Sequence, residues 1–332
     1  MFLKPFQMNS LFFFICLLLL GCSINSVFSK DAITETVSKH GYLSVSGVNL
    51  MNQHGERVQL KGMSLAWSIW WPQYFSADTV ENVHTLCHGN IIRAPMAVDT
   101  KDGGYIKDPE GQMKLVETVI EAAIKNDIYV IVNWQEVATP RYLAEAKVFF
   151  GQISKKYGSY PNIIYETFNE PVDASWTGLL KPYHQELIKT IRANDPNNLI
   201  ILGTPNYSQK VDDAAADPIT GEKNIMYSLH FYSGTHKQWL RDTTEAALSK
   251  GLPIFVSEYG VVNADASGPV DMVETQLWWD LMDRHGLSNV EWAIYDKDEG
   301  ASALKPGTTA KQACQEQYLT ESGRVAVEQI KK

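Results

Sequence analysis

The chain is poor in cysteine, with four in 332 residues, and two of these, Cys16 and Cys22, lie in an apolar N-terminal stretch. Cys87 and Cys314 remain, which allows either one disulfide or two separately buried thiols, since spacing alone cannot supply the short Cα separation a bridge needs. No His or Cys cluster at ligand spacing is present, so no metal and no cofactor are expected. Basic runs are missing too, and the formal charge is −9, which makes nucleic acid a poor partner. After Leu20 no stretch is long and apolar enough to cross a bilayer as a helix. No Gly-x-Gly-x-x-Gly follows the first apolar run, which argues against a doubly wound dinucleotide fold. Linkers rich in Pro, Ser or Thr are lacking, and no second domain is expected after the last helix.

What is present begins with Lys4, an unbroken apolar run from Leu11 to Leu20, and Val27-Phe28-Ser29. Ten apolar residues are too few to span a membrane, and the small Ser29 suits a signal-peptidase site. Residues 1–29 are therefore read as a signal peptide and 30–332 as one catalytic domain, secreted to the extracellular space as a monomer with no membrane contact. A lipobox at Leu19-Leu20-Gly21-Cys22 stays open as the rival reading, with a lipid on Cys22 as the tether.

Short apolar runs rich in Val and Ile alternate with amphipathic segments. Eight runs are counted: Val58 to Ser64, Asn90 to Val98, Ile128 to Trp134, Ile163 to Asn169, Leu199 to Gly203, Ile225 to Tyr232, Pro253 to Glu258 and Val290 to Ile294. Between them lie helical patterns such as Leu115, Val119, Ala122 and Ala123, with Glu117, Glu121 and Lys125 outward. Eight βα units predict an α/β fold, a single closed (β/α)₈ TIM barrel. The segment from Tyr42 to Arg57, with its Asn52-Gln53-His54-Gly55 turn, is predicted to be a β-hairpin capping the barrel floor.

Such a barrel keeps its active site at the C-terminal ends of the strands, and here those ends are polar. Arg93 lies on the second strand, Asn133-Trp134-Gln135 end the third, and Asn169-Glu170-Pro171 end the fourth. His230-Phe231-Tyr232 end the sixth, Ser257-Glu258-Tyr259 the seventh, and Trp292 with Asp296-Lys297 closes the eighth. Glu170 and Glu258 stand three strands apart on a ring of eight, so they face each other from nearly opposite walls. A lone strand-end Glu is more often a cap or a surface ion pair; two converging carboxylates suit acetal cleavage. Strict alternation points only one of Asn169 and Glu170 inward, so both can serve only if the strand splays at its end.

The run Ile163-Ile164-Tyr165-Glu166-Thr167-Phe168-Asn169-Glu170-Pro171, with Phe255-Val256-Ser257-Glu258-Tyr259-Gly260, closely resembles glycoside hydrolase family 5, and within it the endoglucanases of bacteria and plant-parasitic nematodes. Lys61-Gly62-Met63-Ser64-Leu65, Leu229-His230-Phe231-Tyr232-Ser233 and Asp296-Lys297-Asp298-Glu299-Gly300 extend the likeness along the chain. The resemblance implies a retaining endo-β-1,4-glucanase, a cellulase, with a β-1,4-glucan as substrate. In it Glu170 is the acid/base and Glu258 the nucleophile. Asn169 would bond the sugar 2-hydroxyl, Arg93 and Tyr232 would hold Glu258, and His230 would contact the sugar or Glu170. Tyr207, where Trp is usual, and Trp292 match platform positions. Lys297 and Glu299 resemble a pair that grips the sugar, and Trp70 lies with Trp67 and Trp71 after the first strand and Trp176 after the fourth among aromatics able to stack on sugar rings.

One departure from the family stands out. Asp-Trp-His is usual where this chain reads Asn133-Trp134-Gln135, and the loop after it is short. Gln135 hydrogen-bonds but cannot titrate near neutral pH, so low activity is expected. A glycan-binding homologue with weakened or lost catalysis, or the same mechanism on xylan or mannan, stays open. Asn206-Tyr207-Ser208 is a glycosylation sequon expected to be unused, because it falls at the cleft.

Overall fold

The computed structural model describes residues 1–2 and 36–332; the expected leader cleavage, Cys16 and Cys22 lie outside the described residues. Eight parallel strands take up the eight apolar runs: β1 Lys61–Leu65, β2 Ile91–Ala97, β3 Tyr129–Gln135, β4 Ile163–Glu166, β5 Leu199–Leu202, β6 Ile225–Tyr232, β7 Ile254–Gly260 and β8 Asn289–Ile294. Each pairs with its neighbour in sequence, and β8 pairs with β1, so the sheet closes. Eight helices follow them in turn: α1 Ala77–Thr85, α2 Pro109–Lys125, α3 Leu143–Tyr157, α4 Lys181–Arg192, α5 Val211–Ala216, α6 Gln238–Ser249, α7 Met272–His285 and α8 Glu321–Ile330. Among the described residues no helix is long and apolar enough to cross a membrane.

Two apolar layers follow from the two faces of every strand. Val130, Val132 and Trp134 of β3 face the helices, with Val116, Val119 and Ala123 of α2 in the same core. Ile131, Ile164, Ile201, Met226, Phe255 and Val290 face inward and fill the lower barrel together with Leu43, Leu50, Val58 and Leu60 from below. Leu43 and Leu50 belong to the expected floor cap, and Val58 and Leu60 follow it. Ser44–Ser46 pairs antiparallel with Asn49–Met51, and the Asn52 turn closes with Gly55 N–H donating to the Asn52 carbonyl at 3.1 Å. Gly55 takes φ +77° there, which a Cβ would disfavour.

Two strand bounds differ from expectation by three residues, the others by two or fewer. Val58 is not part of β1, because its N–H is taken by the Leu50 carbonyl of the floor cap at 2.9 Å. The fourth strand leaves the barrel after Glu166 rather than running to Asn169. Cys87 and Cys314 are bonded with Cα atoms 5.5 Å apart, tying the end of α1 to the long segment between β8 and α8.

Candidate active site

The break in β4 sets up the site. After Glu166 the chain detaches, Phe168 turns into the outer core, and a new two-residue pairing begins at Glu170–Pro171 against Val137–Ala138. Asn169 N–H is held by the Trp134 carbonyl at 3.1 Å and Glu170 N–H by the Glu136 carbonyl at 3.0 Å. Consecutive residues thus leave strict alternation, and both side chains reach the barrel mouth.

Arg93, fully buried on β2, organises the centre. Its Nη1 donates to Glu258 Oε2 at 2.9 Å, its Nη2 to Asn169 Oδ1 at 2.6 Å and its Nε to Glu166 Oε2 at 2.7 Å. Tyr232 OH donates to the other Glu258 oxygen at 2.7 Å, so both oxygens of this carboxylate are fixed. His230 Nδ1 lies 3.2 Å from Glu170 Oε1, and its Nε2 lies 3.1 Å from Ser257 Oγ, which in turn meets Ser228 Oγ at 2.6 Å. One oxygen each of Glu170 and Glu258 and one ring nitrogen of His230 all lie within 4.8 Å of one another. That geometry would also admit a divalent cation, but Arg93 stands beside it and both Glu258 oxygens are occupied.

Burial raises the Glu170 carboxyl above its ordinary range, and the Glu258 charge adds to this, while the His230 contact opposes it. For His230 burial works against the charged form, yet Glu258, Glu166 and Glu170 outweigh it and push the imidazole up to about 9. Asn169 Nδ2, both amide atoms of Asn133, and Gln135 Oε1 are buried with no hydrogen-bond partner among the described residues. Buried amides without partners at the mouth of a barrel are groups that an incoming hydroxyl can satisfy.

The other expected residues divide. Trp292 is 8% exposed on the inner wall and Tyr207 is 41% exposed. Tyr207 is presented by three successive left-handed residues, Asn206, Tyr207 and Ser208, anchored where Ser208 Oγ donates to the Asn169 carbonyl at 2.8 Å. Asn206 of the sequon is itself exposed. Lys297 Nζ pairs with Glu299 Oε2 at 2.5 Å, and Tyr295 OH holds the other Glu299 oxygen at 2.7 Å. Trp70 donates its Nε1 to Asp102 at 3.0 Å and joins Trp67 and Trp71 in an aromatic chain that ends on Tyr295, 4.8 Å from Trp71. Trp176, a possible cleft aromatic by its place after the fourth strand, is instead 2% exposed, with Nε1 donating to the Asp217 carbonyl at 2.8 Å.

Sequence reasoning missed Glu166, Ser257, Ser228 and Glu136. Period-two alternation from the inward Ile164 would have flagged Glu166. Glu136 is buried, receives Trp134 Nε1 at 3.2 Å, and is pushed up to about 7, chiefly by burial.

Residues 51–298 match the family model described as cellulase (glycosyl hydrolase family 5). The chain is 44% identical to Endoglucanase Z of Dickeya dadantii over 286 residues, 85% of this chain and 64% of that protein. It is 38% identical to an endoglucanase of Clostridium saccharobutylicum over 315 residues, 94% of this chain and 70% of that one. The chain thus spans about two thirds of the length of these relatives. A solved structure from Cytophaga hutchinsonii superposes with TM-score 0.86 at 42% identity, covering 89% of this chain and 96% of that one. The catalytic domain of a Thermobifida fusca endoglucanase superposes with TM-score 0.82 at 28% identity, covering 89% and 99%.

Proposed function

Because the chain belongs to the cellulases of glycosyl hydrolase family 5, we propose that it is a secreted endoglucanase that hydrolyses internal β-1,4-glucosidic bonds with retention of configuration. One observation carries the reading: oxygens of Glu170 and Glu258 lie within 4.8 Å of each other and of a His230 nitrogen. Retaining glycosidases hold their two carboxyl groups about 5 to 5.5 Å apart, whereas inverting ones leave room for a water.

In the first half-reaction a Glu258 oxygen attacks the anomeric carbon as the bond to the leaving sugar breaks, and the Glu170 proton passes to the departing oxygen. Glu258 is oriented for this by Arg93 and Tyr232, which hold both of its oxygens; burial and the Glu258 charge favour the protonated form of Glu170. Once the ester forms, that charge is gone and Glu170 gives up protons more readily. In the second half-reaction Glu170 takes a proton from water, the water oxygen bonds to the anomeric carbon, and Glu258 leaves. Asn169 Nδ2, unpartnered in the resting site, would bond the sugar 2-hydroxyl, and Tyr207, Trp292 and Trp70 would offer stacking faces.

The test is release of reducing ends from carboxymethylcellulose by wild type and by Glu258→Ala, with anomer analysis of the first product by NMR. Equal activity in the two proteins, or an inverted product, would defeat the reading. A panel with xylan, mannan and mixed-linkage glucan fixes the polymer. A second reading, a glycan-binding protein with weakened catalysis, is favoured by the uncharged Gln135 and its unpartnered Oε1; binding without turnover on every polymer would support it.

A further inference from the structure

Below the carboxylate pair lies a third carboxylate that the proposed chemistry does not use. Glu166 is fully buried on β4. Its Oε2 receives Arg93 Nε at 2.7 Å, and its Oε1 lies 3.7 Å from His230 Nε2 with no hydrogen-bond partner among the described residues. Arg93 is the cation that holds Glu258, and His230 is the ring that meets Glu170. We propose that Glu166 is a positioning residue that braces these two cations from beneath and balances their charge, so that the buried site stays neutral through both half-reactions.

The balance rests on the acid/base and nucleophile assignment above. In the resting site Arg93 and protonated His230 face ionised Glu166 and Glu258, with Glu170 neutral. In the glycosyl-enzyme Glu258 is esterified and Glu170 becomes the second anion. Two positive charges oppose two negative ones in each state, which matters because unbalanced charge in a buried site is costly. Without Glu166 both states would carry one uncompensated positive charge. Of its charged partners Arg93 would then keep Glu258 alone, beside the neutral Asn169 and Ser64, and the nucleophile would be held more tightly and attack less readily.

The neighbours of Glu166 leave no other source of compensation. From β2 it meets Arg93, and from β6 His230, with Tyr232 on the same strand reaching Glu258. Glu258 of β7 and Glu170 beyond the end of β4 complete the charged set. Its pairing partners on β3 and β5 are Asn133 and Ile201, neither of which carries charge. Burial opposes ionisation of Glu166, but Arg93 and His230 more than offset this and hold its carboxyl below the ordinary range. A residue kept solely for packing would not need to be ionised.

The experiment is an NMR titration of histidine-labelled protein, with the His230 signals assigned by their loss in His230→Asn, together with steady-state kinetics. Wild-type His230 is expected to stay doubly protonated well above neutral pH, and its midpoint to move down by about one pH unit or more in Glu166→Gln. The same variant is expected to lose about thirtyfold or more in kcat with KM little changed, because Glu166 lies beneath the sugar and does not touch it. Glu166→Asp, which keeps the charge, should recover part of both. An unmoved His230 midpoint in Glu166→Gln, or undiminished kcat, would overturn the proposal. Should Glu166→Gln fail to fold, the comparison passes to Glu166→Asp and to wild type, where an ordinary midpoint near about 6.5 would overturn it equally. The titration is read on resting protein: a wild type inactive on glucans would remove the glucanase reading and leave the His230 result standing.

Discussion

The ring of Tyr232 lies against the backbone of Gly260 so closely that a Cβ at position 260 would stand 2.4 Å from Tyr232 Cδ1. The two residues are paired neighbours on β6 and β7, and the absent side chain is what lets the phenol reach Glu258 at 2.7 Å. Gly260→Ala should therefore push Tyr232 aside while leaving the barrel folded. A loss of about 10- to 100-fold in kcat is expected, the rate equivalent of about 1.4 to 2.7 kcal/mol, with an unchanged far-ultraviolet spectrum. Full activity in Gly260→Ala would show that Tyr232 is not needed to orient Glu258.

A pH dependence follows from Glu170. Its carboxyl is raised by burial first and by the Glu258 charge second, against the opposing contacts of His230 and Arg93. A raised acid stays protonated to higher pH, so the alkaline limb of kcat/KM should lie above the ordinary glutamic value of about 4.3. Esterifying Glu258 with a slow fluorinated glycoside removes the anion and must lower the Glu170 midpoint. Carboxyl-carbon NMR before and after trapping reads this directly, and an upward or absent shift would contradict the assigned roles.

Gln135 gives a third test. Its Oε1 is buried without a partner at the barrel mouth, where the family usually carries histidine. Gln135→His is expected to raise kcat/KM on a soluble glucan about three- to tenfold, the equivalent of one recovered hydrogen bond of roughly 1 kcal/mol. An unchanged rate would move the weak point to the short loop that pairs Val137–Ala138 with Glu170–Pro171.

The barrel was legible because the outer faces of the strands are almost entirely apolar, and the eight runs recur with helical patterns between them. The carboxylate pair was legible because two glutamates at strand ends, three places apart on a ring of eight, face one another, where either alone would read as a cap or a surface ion pair. Tertiary pairing decided what remained. Val58 reads as strand but is claimed by Leu50 of the floor cap. Asn169 and Glu170 both serve only because Phe168 is drawn into the outer core and breaks β4, which no periodicity announces. Trp176 follows a site strand, yet its indole is turned inward by the Asp217 carbonyl. Glu166 was hidden inside an apolar run, where a single carboxylate looks like an exception to the pattern rather than part of a site.

Glu291 is another such exception, and its consequence is for stability. Val290 and Trp292 face into the barrel, so Glu291 faces the surrounding helices; it is fully buried, and neither of its oxygens has a hydrogen-bond partner among the described residues. Burial alone raises its carboxyl well above the ordinary range, and its charge is felt by the buried Tyr259 and Tyr295 hydroxyls. A raised folded-state value means that this group costs nothing below the unfolded value of about 4.3 and destabilises progressively as pH rises toward the folded value. Glu291→Met, similar in volume and apolar, should therefore stabilise the protein at pH 8 by about 1 to 3 kcal/mol, the usual cost of a buried polar group left unpaired. At pH 4, where wild-type Glu291 is already neutral, the gain should shrink. Urea unfolding of both proteins at the two pH values measures this, and a destabilisation by Glu291→Met that is larger at pH 8 than at pH 4 would mean that ordered water satisfies the carboxylate and that the charge is an asset to the fold.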